Sequence, residues 1–168
     1  MNYSVRVAKP SEIQHMQESW DKLVLSMQLP SIFSTWEWMT LWWKHFGQAY
    51  QPLVLLISND NELVGILPLA LRTMIIEDGV MPARTLSLWG SIELHSDHLD
   101  IISARDVAEP CMEAIFRYLR NDFRGWDVLY LSHVSEESCF LQYIRDGGIA
   151  LDSGIENVSV SPYIAIAV

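Results

Sequence analysis

Two apolar runs, PLVLLIS (residues 52–58) and LVGILPLALRT (residues 63–73), stand on either side of the turn-forming NDNE. Runs with so little polar alternation belong to strands covered on both faces. Joined by a short Asn/Asp turn, they predict a hairpin. Pro68 lies inside the second run and predicts an edge or a bulge there, because proline has no N–H to give to a ladder.

The flanking segments supply cover. YSVRVA alternates like a strand, and Ser11 with Gln14 reads as a capping box opening a helix whose buried stripe is Ile13, Met16, Trp20, Leu23, Val24 and Met27. After Pro30, Ser34 with Glu37 reads as a second capping box, and Gly47 as the left-handed residue closing that second helix. EDGVMPA reads as loop, RTLSLWG and DHLDIIS as strands, and residues 109–121 as a helix with Pro110 in its first turn and Met112, Ile115, Phe116 and Leu119 inward. WDVLYLSHV is a buried strand by composition, EESCFLQYIRDGG a helix closed by glycine, and the tail carries one or two strands around DSG. The expected architecture is α+β: a mixed, mainly antiparallel sheet flanked by about four helices.

The second of these helices, Trp36–Phe46, sits in STWEWMTLWWKHFG and carries four tryptophans. Trp36, Met39, Trp43 and Phe46 fall on one face, Trp38, Trp42 and His45 on another, and Glu37, Thr40 and Lys44 on a narrow polar stripe. A helix this apolar is sunk in a core or pressed between two bodies. The chain has 168 residues, enough for one domain; half are hydrophobic and only 19% charged, which leaves little polar cover. Trp38, Trp42 and His45 are therefore expected at a partner interface, buried against something the domain does not itself provide.

A formal charge of −10 without any Lys/Arg-rich run excludes nucleic acid as a partner. Cys111 and Cys139 lack CxxC or CxH spacing and read as reduced thiols, so no disulfide or zinc staple is expected. No signal-peptide h-region opens the chain, and LVGILPLAL falls well short of the ~20 residues of a membrane helix, which points to the cytoplasm. The final SPYIAIAV ends on strand formers with no polar tail, as a segment of something longer would.

One stretch, LHSDHLD, concentrates catalytic side chains: His95, Asp97, His98 and Asp100. Imidazole and carboxylate suit zinc, but on a strand His95 and Asp97 face one side while His98 and Asp100 face the other, so only two ligands converge. One imidazole steered by a carboxylate could instead serve as a general base or contact a substrate. The third reading is a polar strand start with solvated or capping side chains. Ser132 and His133 are adjacent on the expected strand and point apart, unlike a nucleophile and its base. Cys139 has no nearby histidine, and Tyr163 of SPYI reads as structural.

The order β, α, α, several antiparallel β, α, β, α, β resembles the GNAT acyltransferase fold. FSTWEWMTLWWKHFG, LVLLISNDNELVGILPL, WDVLYLSHV and SPYI together resemble the N-terminal half of the CelD-like acyltransferases associated with cellulose biosynthesis, relatives of the FemAB-type transferases. That resemblance implies residues 1–168 are a single GNAT-like domain, half of a tandem enzyme whose acyl-CoA site lies mainly in the other half. The implied partner is a C-terminal GNAT half; the residues themselves leave an alternative, a non-catalytic interaction module or degenerate remnant that associates with a second copy through the Trp36–Phe46 helix. Acetyl-CoA or another acyl-CoA is implied for the complete enzyme.

In the GNAT device, a glycine-bearing loop lets backbone N–H groups close round a pyrophosphate at a helix N-terminus. The matching stretch here is SARDVAEP, which has no glycine and carries Asp106 and Glu109 where the phosphates would sit. The chain alone is therefore expected to bind no cofactor. RDGGIA (residues 145–150) matches the family's loop pattern [Q/R]xxGx[G/A], but it ends a helix where the device must open one, and Gly147 reads as the residue after the helix end.

Overall fold

A computed structural model describes residues 2–76 and 81–148. The elements are β1 (Tyr3–Val7), α1 (Pro10–Ile13), α2 (Gln17–Ser26), α3 (Trp36–Phe46), β2 (Gln51–Asn59), β3 (Glu62–Ile76), β4 (Met81–Leu88), β5 (Ile102–Ser103), α4 (Arg105–Asn121), β6 (Val128–Tyr130) and α5 (Cys139–Arg145). The sheet runs β1-β2-β3-β4-β6, with β5 also pairing β3; all pairs are antiparallel except β4 with β6. This is the expected α+β arrangement. The tail around DSG, Tyr163, and the last two positions of RDGGIA lie outside the described residues.

The hairpin forms as its sequence dictates. Asn59 pairs with Glu62, and the two turn residues, Asp60 and Asn61, take left-handed φ of 48° and 71°. Those angles match the right-handed twist of the strands, and Asn and Asp tolerate them. One face of the hairpin meets α4: a β-carbon on Gly65 would sit 3.2 Å from Cys111 Sγ, so glycine here lets the helix lie close. By alternation Val54, Leu56, Ile66 and Ala70 face the other way and are fully buried as well.

Pro68 is neither at an edge nor in a bulge. It faces Val54 in a central strand, and its carbonyl accepts from Trp89 N–H at 3.0 Å on the opposite side. Its missing N–H points to that same side, where β5 covers only Gly65–Ile66 and β4 begins only at Leu69. The proline occupies the gap between the two-residue β5 and the end of β4.

Local details depart from the sequence reading for identifiable reasons. The first helix is two pieces, because the chain turns at Gln14–Met16; the capping contact is Glu12 to Lys9 N–H, and Glu12 also pairs with Arg6. Helix α3 is capped by Thr35, whose hydroxyl accepts from Trp38 N–H, while Ser34 is buried in the preceding turn, where its carbonyl takes the Trp20 indole N–H at 2.8 Å. Gly47 keeps right-handed angles (φ −60°) as the chain passes into a further turn of 3-10 helix. It is needed for space: a β-carbon there would lie 2.6 Å from the Trp43 ring.

Helix α4 starts at Arg105, not Glu109, so Pro110 lies inside it. Ala108 already belongs to its buried stripe, with Cys111, Met112, Ile115 and Leu119, and burial of that face carries the helix through the hydrogen bond that proline omits. DHLDIIS pairs only at Ile102–Ser103 and WDVLYLSHV only at Val128–Tyr130, with Tyr130 half exposed. Helix α5 ends as predicted, with Gly147 at φ +77°. No helix among the described residues is long and apolar enough to cross a membrane.

Candidate functional site

Pairing between the parallel strands β4 and β6 stops at Ser87 and Tyr130. Beyond that point the connection from Trp89 to Ala104 folds back as a strap, anchored along its length. Trp89 donates its indole N–H to Leu69 O at 2.9 Å and stacks on Trp43 at 4.6 Å between ring centres. Gly90 takes φ +86°, and a β-carbon there would lie 2.7 Å from Ser96 Oγ, so the turn closes only on glycine. Ser96 Oγ accepts the Trp38 indole N–H, Ser132 Oγ donates to Ser91 O at 3.3 Å, and His98 N–H donates to His133 O at 2.9 Å.

The strap's charged anchor is Glu93. Tyr50 donates its hydroxyl to Glu93 Oε1, Arg72 approaches the same oxygen at 3.5 Å, and the Arg72 guanidinium lies 4.7 Å from the Tyr50 ring centre. Glu93 Oε2 is buried and has no hydrogen-bond partner among the described residues. Burial first, and the Glu93 carboxylate second, raise the Tyr50 phenol far above its ordinary value and keep it a donor. None of these three residues stands out in the sequence; they meet because β2, β3 and the strap converge there.

The four members of LHSDHLD do not form one site. His95 and His98 are exposed on the strap with φ of 49° and 57°, and Asp97 is half-buried. Asp100 points inward instead, accepting from Cys139 N–H at 2.7 Å and Phe140 N–H at 3.0 Å, so it caps α5 together with Ser138. Burial pushes the Asp100 carboxyl upward, against the pull of the N–H groups of Ile101, Cys139 and Phe140. Among the described residues no three of His, Cys, Asp and Glu could hold a metal ion. What His95 does meet is the His133 ring, at 4.8 Å between centres. His133 lies in a loop, not on a strand, and its long separation from His95 in sequence leaves no pattern that pairs them.

The expected interface face also resolves differently. Trp42 is 3% exposed, enclosed by Trp43, Phe46, Tyr50 and Trp89 of the same chain, which corrects its assignment to a partner. Trp38 is half-buried against Phe33 and Ser96, and His45 is exposed. Both thiols are poor nucleophiles: burial pushes Cys111 up to about 12, and burial with the Asp100 charge raises Cys139.

An acyl-CoA pyrophosphate finds no matching cradle at α4. The residue before the helix, Ala104, offers no side-chain cap, no glycine lies between Ile101 and Glu109, and Asp106 occupies the first turn. Glu109, placed at the N-terminus by the sequence reading, sits a turn further in. Asp106 already complements the positive helix end and repels a second anion there.

The fold is that of the GNAT acetyltransferases. The chain is similar to a GNAT family acetyltransferase from Staphylococcus aureus (TM-score 0.50, 12% identity, covering 95% of this chain and 100% of that one). It is also similar to AAC(6')-Iy, solved with the bisubstrate analogue CoA-S-monomethyl-acetylneamine (TM-score 0.51, 14% identity, 98% and 100% covered). A third similar structure is an aminoglycoside acetyltransferase from an uncultured soil metagenomic sample (TM-score 0.50, 13% identity, 96% and 100% covered). No family model and no curated protein sequence matches the chain. Similarity at this level carries the backbone architecture and not the site.

Proposed function

We propose that this chain is the N-terminal GNAT-fold half of a cytoplasmic, CelD-like acyl-CoA-dependent N-acyltransferase, and that a C-terminal GNAT half supplies the acyl-CoA site. The observation that carries the reading is the N-terminus of α4, where Asp106 and a glycine-free approach replace an anion cradle while the fold around it is GNAT. Residues 1–168 act in this reading as one domain, whose contribution is to shape and cover the partner's site. Titrating acetyl-CoA into the isolated chain by calorimetry tests the first part, and no saturable heat through millimolar concentration is expected. Micromolar binding sinks it. Adding the separately expressed C-terminal half tests the second: acetyl-CoA turnover rises to saturation near equimolar mixing, whereas no complex and no gain in turnover overturns the pairing.

A second reading, a non-catalytic module that self-associates through the Trp36–Phe46 helix, draws on Leu41, which is 53% exposed and shares a helical face with Trp38 and His45. Sedimentation separates the two: Leu41→Glu dissociates a self-associating module, and a wild-type monomer at all concentrations removes this reading.

A further inference from the structure

We propose that His95 and His133 form a two-imidazole site for a divalent first-row transition-metal ion, zinc or copper(II), on the seam between the strap and the segment following β6. The proposal goes beyond the acyltransferase reading and does not depend on it. The two ring centres are 4.8 Å apart with planes inclined by 56°. An ion bonded to imidazole nitrogens at about 2.0–2.1 Å, with its ligands at tetrahedral or square angles, sets two ring centres on the order of 5 Å apart. Both residues are exposed, so the site opens to solvent ions. Neutral imidazole is a suitable donor for zinc and copper.

Backbone geometry supplies an independent observation. Among the described residues five non-glycine positions have left-handed φ, and two of them, Asp60 and Asn61, are required by the hairpin turn. The other three are His95 (49°), His98 (57°) and His133 (58°), all on this seam. Each such position is unfavourable for a residue with a β-carbon, and clustered strain of this kind marks functional sites. The bond from His98 N–H to His133 O holds the two segments in register, so the strained loops present their rings to each other.

With two protein ligands, the remaining positions belong to water, which sets an affinity in the micromolar to sub-millimolar range and not that of a closed structural site. Copper(II) should bind more tightly than zinc, as the general order of these ions requires. A bound ion ties the strap to the segment after β6 and so stabilises the folded chain by mass action.

The test is calorimetric titration of the full chain with Zn2+ and Cu2+, alongside His95→Ala, His133→Ala and, as a control, His45→Ala. One equivalent is expected in the wild type, at least tenfold weaker binding in each of the first two variants, unchanged binding in the control, and a zinc-dependent rise in Tm confined to wild type and control. Copper EPR of the unsubstituted chain should show hyperfine coupling to two imidazole nitrogens, a readout that stands whether or not a variant folds. No saturation at millimolar ion, undiminished affinity in both variants, or a spectrum with a single nitrogen overturns the proposal.

Discussion

The carboxylate of Asp100 accepts the backbone N–H of Cys139 at 2.7 Å, placing a half-buried side chain from the strap on the first residue of α5. A second bond, from Phe140 N–H, shares the same carboxyl group. Asp100 is thus a helix cap supplied from a distant segment, and it joins the strap to the last described helix. Asp100→Ala removes both bonds and should cost about 1.5–3 kcal/mol in chemical denaturation. Because burial leaves the folded carboxyl above its ordinary value of 3.8, ionising it in the folded chain costs stability: that cost is absent below 3.8 and grows as pH rises through the folded value, while the two N–H bonds to the carboxylate persist. Asp100→Asn should remove that slope from the stability–pH curve; an unchanged slope contradicts the assignment.

Asp127 behaves oppositely. The Arg84 guanidinium, at 2.6 and 2.9 Å, and the Arg84 N–H lower its carboxyl to about 2. Its contribution is present above the ordinary value of 3.8 and disappears as pH falls toward 2. NMR titration of the side-chain carboxyl carbon should show a midpoint of about 2, returning to the ordinary carboxylate range in Arg84→Gln.

Two neighbours on α3 should differ sharply. Trp42→Ala empties a fully enclosed site and should cost about 3–5 kcal/mol, whereas Leu41→Ala on the exposed face should stay within about 0.5 kcal/mol of wild type. Gly47→Ala, normally favourable near a helix end with right-handed angles, should instead cost about 1–3 kcal/mol because its methyl meets the Trp43 ring. Urea denaturation of the three variants checks the order.

Tyr50→Phe deletes the short contact to Glu93 and leaves that carboxylate to Arg72 alone. The expected loss is about 1.5–3 kcal/mol. Hydrogen exchange localises it: amides of the strap near Glu93 should exchange faster while the β2–β3 hairpin stays protected. Uniform loss of protection would mean that Tyr50 supports the whole core and not the strap.

Where chemistry is local, the sequence determined the outcome. Continuous apolar runs and an Asp-Asn turn were enough for the central hairpin, apolar periodicity for α3, and Gly147 for the end of α5, because each answers to its neighbours within a turn or two of chain. Helix α4 was legible only from Glu109 onward: Pro110 argues for a first turn locally, and burial of Ala108 against the sheet overrules it. The histidine cluster was visible as a list of residue types and not as a site. Tertiary structure alone decided that Asp100 turns inward to cap α5, that His95 meets His133, that Glu93 gathers Tyr50 and Arg72, and that Trp42 is enclosed by its own chain. Those contacts join segments far apart in sequence, and their free energy comes from burial and hydrogen bonding that exist only once the sheet has brought the segments together.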